Sequence, residues 1–113
     1  CSNQALCALA VGVYLATMGN EGIKKAATLS TSKAHYLSAE LAKVGYQTEN
    51  KEEFFHEFVT VSDVPAAKAL AALEEKGILG GFPLDEHRIL WCCTEVNTKE
   101  EMDAVVQILK EVQ

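Results

Sequence analysis

Proline is scarce, with two in 113 residues, and no stretch rich in Gly, Ser or Pro breaks the chain. That excludes a low-complexity linker or a disordered tail. Positive charge is also short, since ten Lys and Arg stand against sixteen Asp and Glu for a net charge of -6. The ten are scattered, so no basic stripe is available to neutralise phosphates, and nucleic acid is excluded as an expected partner. Long apolar runs are missing too. The longest, Ala5 to Ala16, falls short of the roughly 20 residues that cross a bilayer, and no basic segment precedes it as in a secretory signal. No membrane span is therefore expected. The four cysteines, Cys1, Cys7, Cys92 and Cys93, contain no C-x-x-C pair, and His35, His56 and His87 each stand alone in sequence. The spacing supports neither a metal site nor a disulfide framework. Reduced cysteines used as small buried hydrophobes fit a cytoplasmic setting. A mature lipoprotein also begins at Cys, but the polar tether that follows such a residue is absent.

What the chain does have is ordinary globular composition, 49% hydrophobic and 23% charged, and a length that makes residues 1–113 one domain. It opens at Cys1 rather than Met and enters an apolar helix at once. The expectation is a piece of a longer protein. Its organising stretch is RILWCCTEV, Arg88 to Val96, where five consecutive apolar residues are too short for a helix and predict a strand buried on both faces. One layer of cover would come from this chain's helices, the other from outside it.

Ser2 or Asn3 can cap a first helix that runs to Met18 and is closed by Gly19. Almost nothing polar interrupts Gln4 to Ala16, so the helix is predicted to be buried nearly all round, as an interface helix between domains or subunits. Asn20 caps a second helix that reaches Val44 and stops at Gly45. Its inward stripe is Ile23, Ala27, Ser30, Ala34, Leu37, Leu41 and Val44. Lys33 on its polar face lacks the apolar pocket that a Schiff-base lysine needs and reads as a solvated residue.

Tyr46 to Thr48 reads as a short edge strand and Phe54 to Val61 as a full one. Strand alternation puts His56 and Glu57 on opposite faces, which excludes a simple dyad. Asp63 caps a third helix with Pro65 in its first turn. Gly80 and Gly81 precede Phe82 and Pro83 rather than a helix, so close backbone packing is expected there instead of a phosphate cradle. Thr98 and Glu101 form a capping box that opens the last helix, with Met102, Val105, Val106, Leu109 and Val112 facing inward. The coarse order is two helices, strand, helix, short strand, strand, helix. That is an α+β domain with a small, mostly antiparallel sheet packed by helices, and spacing alone reveals no active site in it.

Five segments in order carry a resemblance that spans the chain. They are SNQALCALAVGVYLATMGNEGI from Ser2, KAHYLSAELAKVGY from Lys33, FFHEF from Phe54, KGILGGFPL from Lys76 and CCTEVNTKEEMDAVV from Cys92. Together they resemble the first subunit, or N-terminal half, of the P protein of the glycine cleavage system. The resemblance implies the small C-terminal domain of a pyridoxal-phosphate enzyme of fold type I, its large domain lying elsewhere. Such an oxidoreductase, glycine dehydrogenase (decarboxylating), releases the carboxylate of glycine as CO2 and passes the aminomethyl group to the lipoyl arm of H protein. In the split-subunit form the cofactor lysine belongs to the second P-protein subunit, so this domain is expected to be structural and inert alone. Ser2, Asn3 and Gln4, in the most specific block, are the residues expected near the active-site cleft or interface. Arg88 is not included, because the family pattern does not demand arginine there. Two other readings stand beside this one: the small domain of another fold type I enzyme, aminotransferase-like or selenocysteine-lyase-like, and a stand-alone cytosolic module that pairs through its first helix.

Overall fold

The structure, a computed structural model, describes residues 3–49 and 52–112. Helix α1 (Ala5–Lys43) is followed by strands β1 (Gln47–Thr48) and β2 (Glu57–Val61), and helix α2 (Ala66–Glu74) comes next. Strands β3 (Phe82–Pro83) and β4 (Arg88–Cys92) and helix α3 (Lys99–Glu111) complete the chain. The four strands form one antiparallel sheet in the order β1-β2-β4-β3. This is the α+β domain that the spacing predicts.

The two expected helices meet at Gly19, whose backbone (φ 60, ψ -176) is not helical and bends α1 there. Such a conformation is close to glycine-only, which explains the residue. At the far end the chain leaves α1 through Gly45 at φ 83, and the Tyr46 N-H donates to the Leu41 carbonyl at 3.1 Å. A left-handed glycine just beyond a helix gives the last carbonyls donors in this way. The inward stripe is right from Ser30 onward, where Ser30, Ala34, Leu37, Leu41 and Val44 are buried. It fails at its start, because Ile23 is 42% exposed.

The segment before Gly19 departs most from expectation. Leu6, Leu9, Val13 and Leu15 are all exposed, Leu6 at 77%, so this helix is uncovered rather than buried. Residues 5–17 are exposed throughout, so no other described element covers this segment. An 18-residue window of α1 has a mean hydropathy of 1.3, more apolar length than the run Ala5–Ala16 implied. The bend limits its reach, since Ala5 to Met18 extends roughly 21 Å at 1.5 Å per residue, against a bilayer core of roughly 30 Å.

Strand β4 is central, as expected, but only one of its faces is buried. Ile89, Trp91 and Cys93 lie in the core with Phe58, Leu41, Leu73 and Leu109, while Leu90 is half-buried and Cys92 exposed. All three helices contribute to that single core, so they cover the same face of the sheet. Within it the Trp91 Nε1-H donates to Thr60 Oγ1 at 2.8 Å, which satisfies a buried donor that would otherwise be costly. Asp63 does not cap α2; Pro65 occupies the capping position, and the Ala66 N-H donates to the Glu86 carbonyl. The capping box of α3 forms as predicted: Thr98 Oγ1 accepts the Glu101 N-H, and Glu101 Oε2 accepts the Thr98 N-H.

Candidate functional site

Three places concentrate the residues that chemistry could use. The first is the start of α1. Asn3 Oδ1 accepts the Ala5 N-H at 2.8 Å, and the Gln4 carbonyl accepts the Ala8 N-H. Both side chains are exposed and lead into the uncovered apolar surface of Leu6, Leu9 and Val13. Ser2 lies outside the described residues.

The second is a groove of about 780 Å³ along the open edge of β4, between the segment Gly77–Phe82 and α3. It exists because β3 is two residues long and pairs with β4 only at Ile89 and Leu90. Gly81 makes that pairing possible, since a Cβ there would lie 2.4 Å from the Leu90 carbonyl oxygen. The glycine pair therefore serves close backbone approach, as its position before Pro83 predicts.

The third place adjoins this groove, whose lining includes Glu57 and Cys92. One donor atom each from His56, Glu57 and Cys92 lies within 4.8 Å of the others. The expectation that His56 and Glu57 face apart is wrong here, for a local reason: β2 begins at Glu57, so His56 precedes the strand and escapes its alternation. Cys92 enters as the cross-strand partner of Glu57, a neighbour that spacing along the chain does not reveal. Burial and the adjacent Glu57 carboxylate push the Cys92 thiol up, and burial pushes Cys93 up to about 11. Neither thiol is poised as a nucleophile at neutral pH.

The remaining singled-out residues are held in structural bonds. Lys33 is half-buried rather than solvated, and its Nζ donates to the Glu95 carbonyl. His35 stacks on Phe54 with ring centroids 4.0 Å apart, and His87 Nδ1 bonds the Ser62 carbonyl. Arg88 donates to Asp85 Oδ2 at 2.7 Å and Glu49 Oε1 at 3.2 Å. With two carboxylates of its own chain, this guanidinium is already engaged. All other described lysines are exposed, so the residues present do not make the closed pocket that a lysine-bound pyridoxal phosphate requires.

Comparison with known proteins then sets the family. The chain is 42% identical over 113 residues to the probable glycine dehydrogenase (decarboxylating) subunit 1 of Chlorobium limicola, covering 96% of this chain and 26% of that protein. It is 41% identical to the subunit of the same name from Moorella thermoacetica, covering 97% and 26%. A crystal structure of glycine decarboxylase (P-protein) of the glycine cleavage system, in inhibitor-bound form, superposes with a TM-score of 0.91 at 33% identity over 100% of this chain and 27% of that one. The chain thus spans about a quarter of the length of the curated relatives it matches, and these matches do not favour the aminotransferase-like or stand-alone readings. With the profile described as Glycine cleavage system P-protein matching residues 1–109, the chain belongs to that family.

Proposed function

We propose that this domain is the small C-terminal domain of subunit 1 of a glycine decarboxylase, acting in the cytoplasm as a structural and interface unit. The assembled enzyme removes CO2 from glycine and transfers the aminomethyl group to the lipoyl arm of H protein. Pyridoxal phosphate, carried on a lysine of the second subunit, supplies the electron sink for that chemistry. The observation that carries the reading is the uncovered apolar helix surface of Leu6, Leu9, Val13 and Leu15, on a domain whose relatives are about four times its length. Exposed apolar surface of this extent marks an interaction site, and the rest of the enzyme is its natural cover. Asn3 and Gln4, at the head of that helix, then lie at the boundary with the cofactor-bearing part. The free thiols Cys7, Cys92 and Cys93 are consistent with a reducing compartment.

The test is glycine-dependent bicarbonate exchange by the full-length polypeptide, with and without the second subunit. Exchange is expected only with both chains present, and none from the isolated domain. Exchange by the domain alone would sink the structural role. A complex that binds pyridoxal phosphate yet exchanges nothing with glycine would sink the decarboxylase reading.

A further inference from the structure

We propose that His56, Glu57 and Cys92 form a binding site for a divalent transition cation of the zinc class, with three protein ligands and a fourth position open to solvent. Glu57 and Cys92 are direct partners in the antiparallel register of β2 and β4, so their side chains leave the same face of the sheet. His56 is pinned beside them, because its carbonyl accepts the Cys93 N-H at 2.9 Å and its ring meets Phe55 edge-on at 4.5 Å. The three donor atoms lie within 4.8 Å of one another. Tetrahedral zinc, with bonds of about 2.0 to 2.3 Å, needs ligand atoms about 3.3 to 3.8 Å apart. The 4.8 Å limit exceeds that spacing by about 1 Å, so closing the site asks for a movement of about 1 Å at the side-chain tips.

Two further observations separate this cluster from a chance meeting of surface groups. His56 Nδ1 is buried and has no hydrogen-bond partner among the described residues, although buried polar atoms are almost always partnered. A metal on the ring, or a group ordered by that metal, gives this nitrogen a role. The groove that contains Glu57 and Cys92 also has Glu100 and Glu101 in its wall and no lysine or arginine among its described lining residues; Lys33 is near enough to act on Glu101 and Cys93, and against that one cation three carboxylates leave the wall net negative. The donor set decides which cation. A thiolate and an imidazole select zinc, cobalt or copper over magnesium or calcium, which prefer all-oxygen sites. Bound there, the ion clips the start of β2 to the end of β4, where β3 gives no support.

Cobalt(II) as the added metal provides the test on the full-length polypeptide, since a thiolate ligand produces a charge-transfer band. The expected result is a band that saturates at one equivalent per chain, is absent from Cys92→Ser, and requires at least about tenfold more metal in His56→Gln and Glu57→Gln. No saturable band, or the same band in Cys92→Ser, overturns the proposal. A second arm needs no variant to fold: zinc is expected to slow alkylation of Cys92 in the unaltered protein, followed by mass spectrometry. Equal alkylation with and without zinc, whether fast or slow, overturns it as well.

Discussion

Thr60 and Trp91 are diagonal neighbours on β2 and β4, both buried, and one hydroxyl satisfies the indole N-H. Thr60→Val keeps the shape and the strand propensity but leaves that donor without an acceptor. The loss is expected to be about 1 to 3 kcal/mol, read from the midpoint of denaturant unfolding, and an unchanged midpoint would mean that the bond contributes nothing net. Both residues are legible as strand formers from sequence alone. Their pairing is not, because the register that sets Phe58 against Trp91 and Thr60 against Ile89 depends on how β2 and β4 align. The same limit hid the His56, Glu57 and Cys92 cluster. Alternation applies inside a strand, and His56 stands one residue outside it.

At the scale of the element, Gly19 determines where the apolar half of α1 points. Alanine in its backbone conformation costs about 1 to 3 kcal/mol, whereas no atom within 4 Å obstructs a Cβ there. The segment from Ala5 is exposed and makes little packing that would hold the bend, so Gly19→Ala is expected to straighten α1 into one continuous helix. Spin labels at Val11 and Thr28 should move apart; an unchanged separation would show that something other than the glycine imposes the bend. Helix limits were largely readable, since Gly19, Gly45 and the Thr98 capping box carry local signals. Burial was not. The apolar segment looks like a core helix in sequence and is a surface helix in this domain, because sequence reports how apolar a face is and not what covers it.

For the molecule as a whole, the surface carboxylates set the response to acid. Lys99, then Tyr36, hold the Asp103 carboxyl below the usual carboxylate range; backbone and side-chain hydrogen bonds of Thr98 do the same for Glu101, and Arg88 for Asp85. A carboxylate lowered in the folded state contributes stability above its unfolded pKa and loses it as pH falls through the folded value. The melting temperature should therefore be level above about pH 5 and decline below about pH 4. Asp103→Asn should flatten part of that decline, and because the groups are exposed the effect of each is small. A melting temperature that rises on acidification would contradict this assignment. Lys99 and Arg88, held upward by the same pairs, lose their contribution only at strongly alkaline pH.

By itself the sequence determined the order of helices and strands, the helix ends at Gly45 and Thr98, the break at Gly19, the antiparallel α+β class and the family, because each rests on local chemistry: capping groups, left-handed glycines, side-chain periodicity and a run of matching residues; it missed the cap of α2 and the start of β2. The tertiary structure alone decided that β4 is covered on one face, that the first half of α1 is bare, and that a histidine just before β2, a glutamate in β2 and a cysteine in β4 meet. Those outcomes depend on the side of the sheet on which the helices pack and on the strand register. Both are set by packing between segments distant along the chain, which no local pattern encodes.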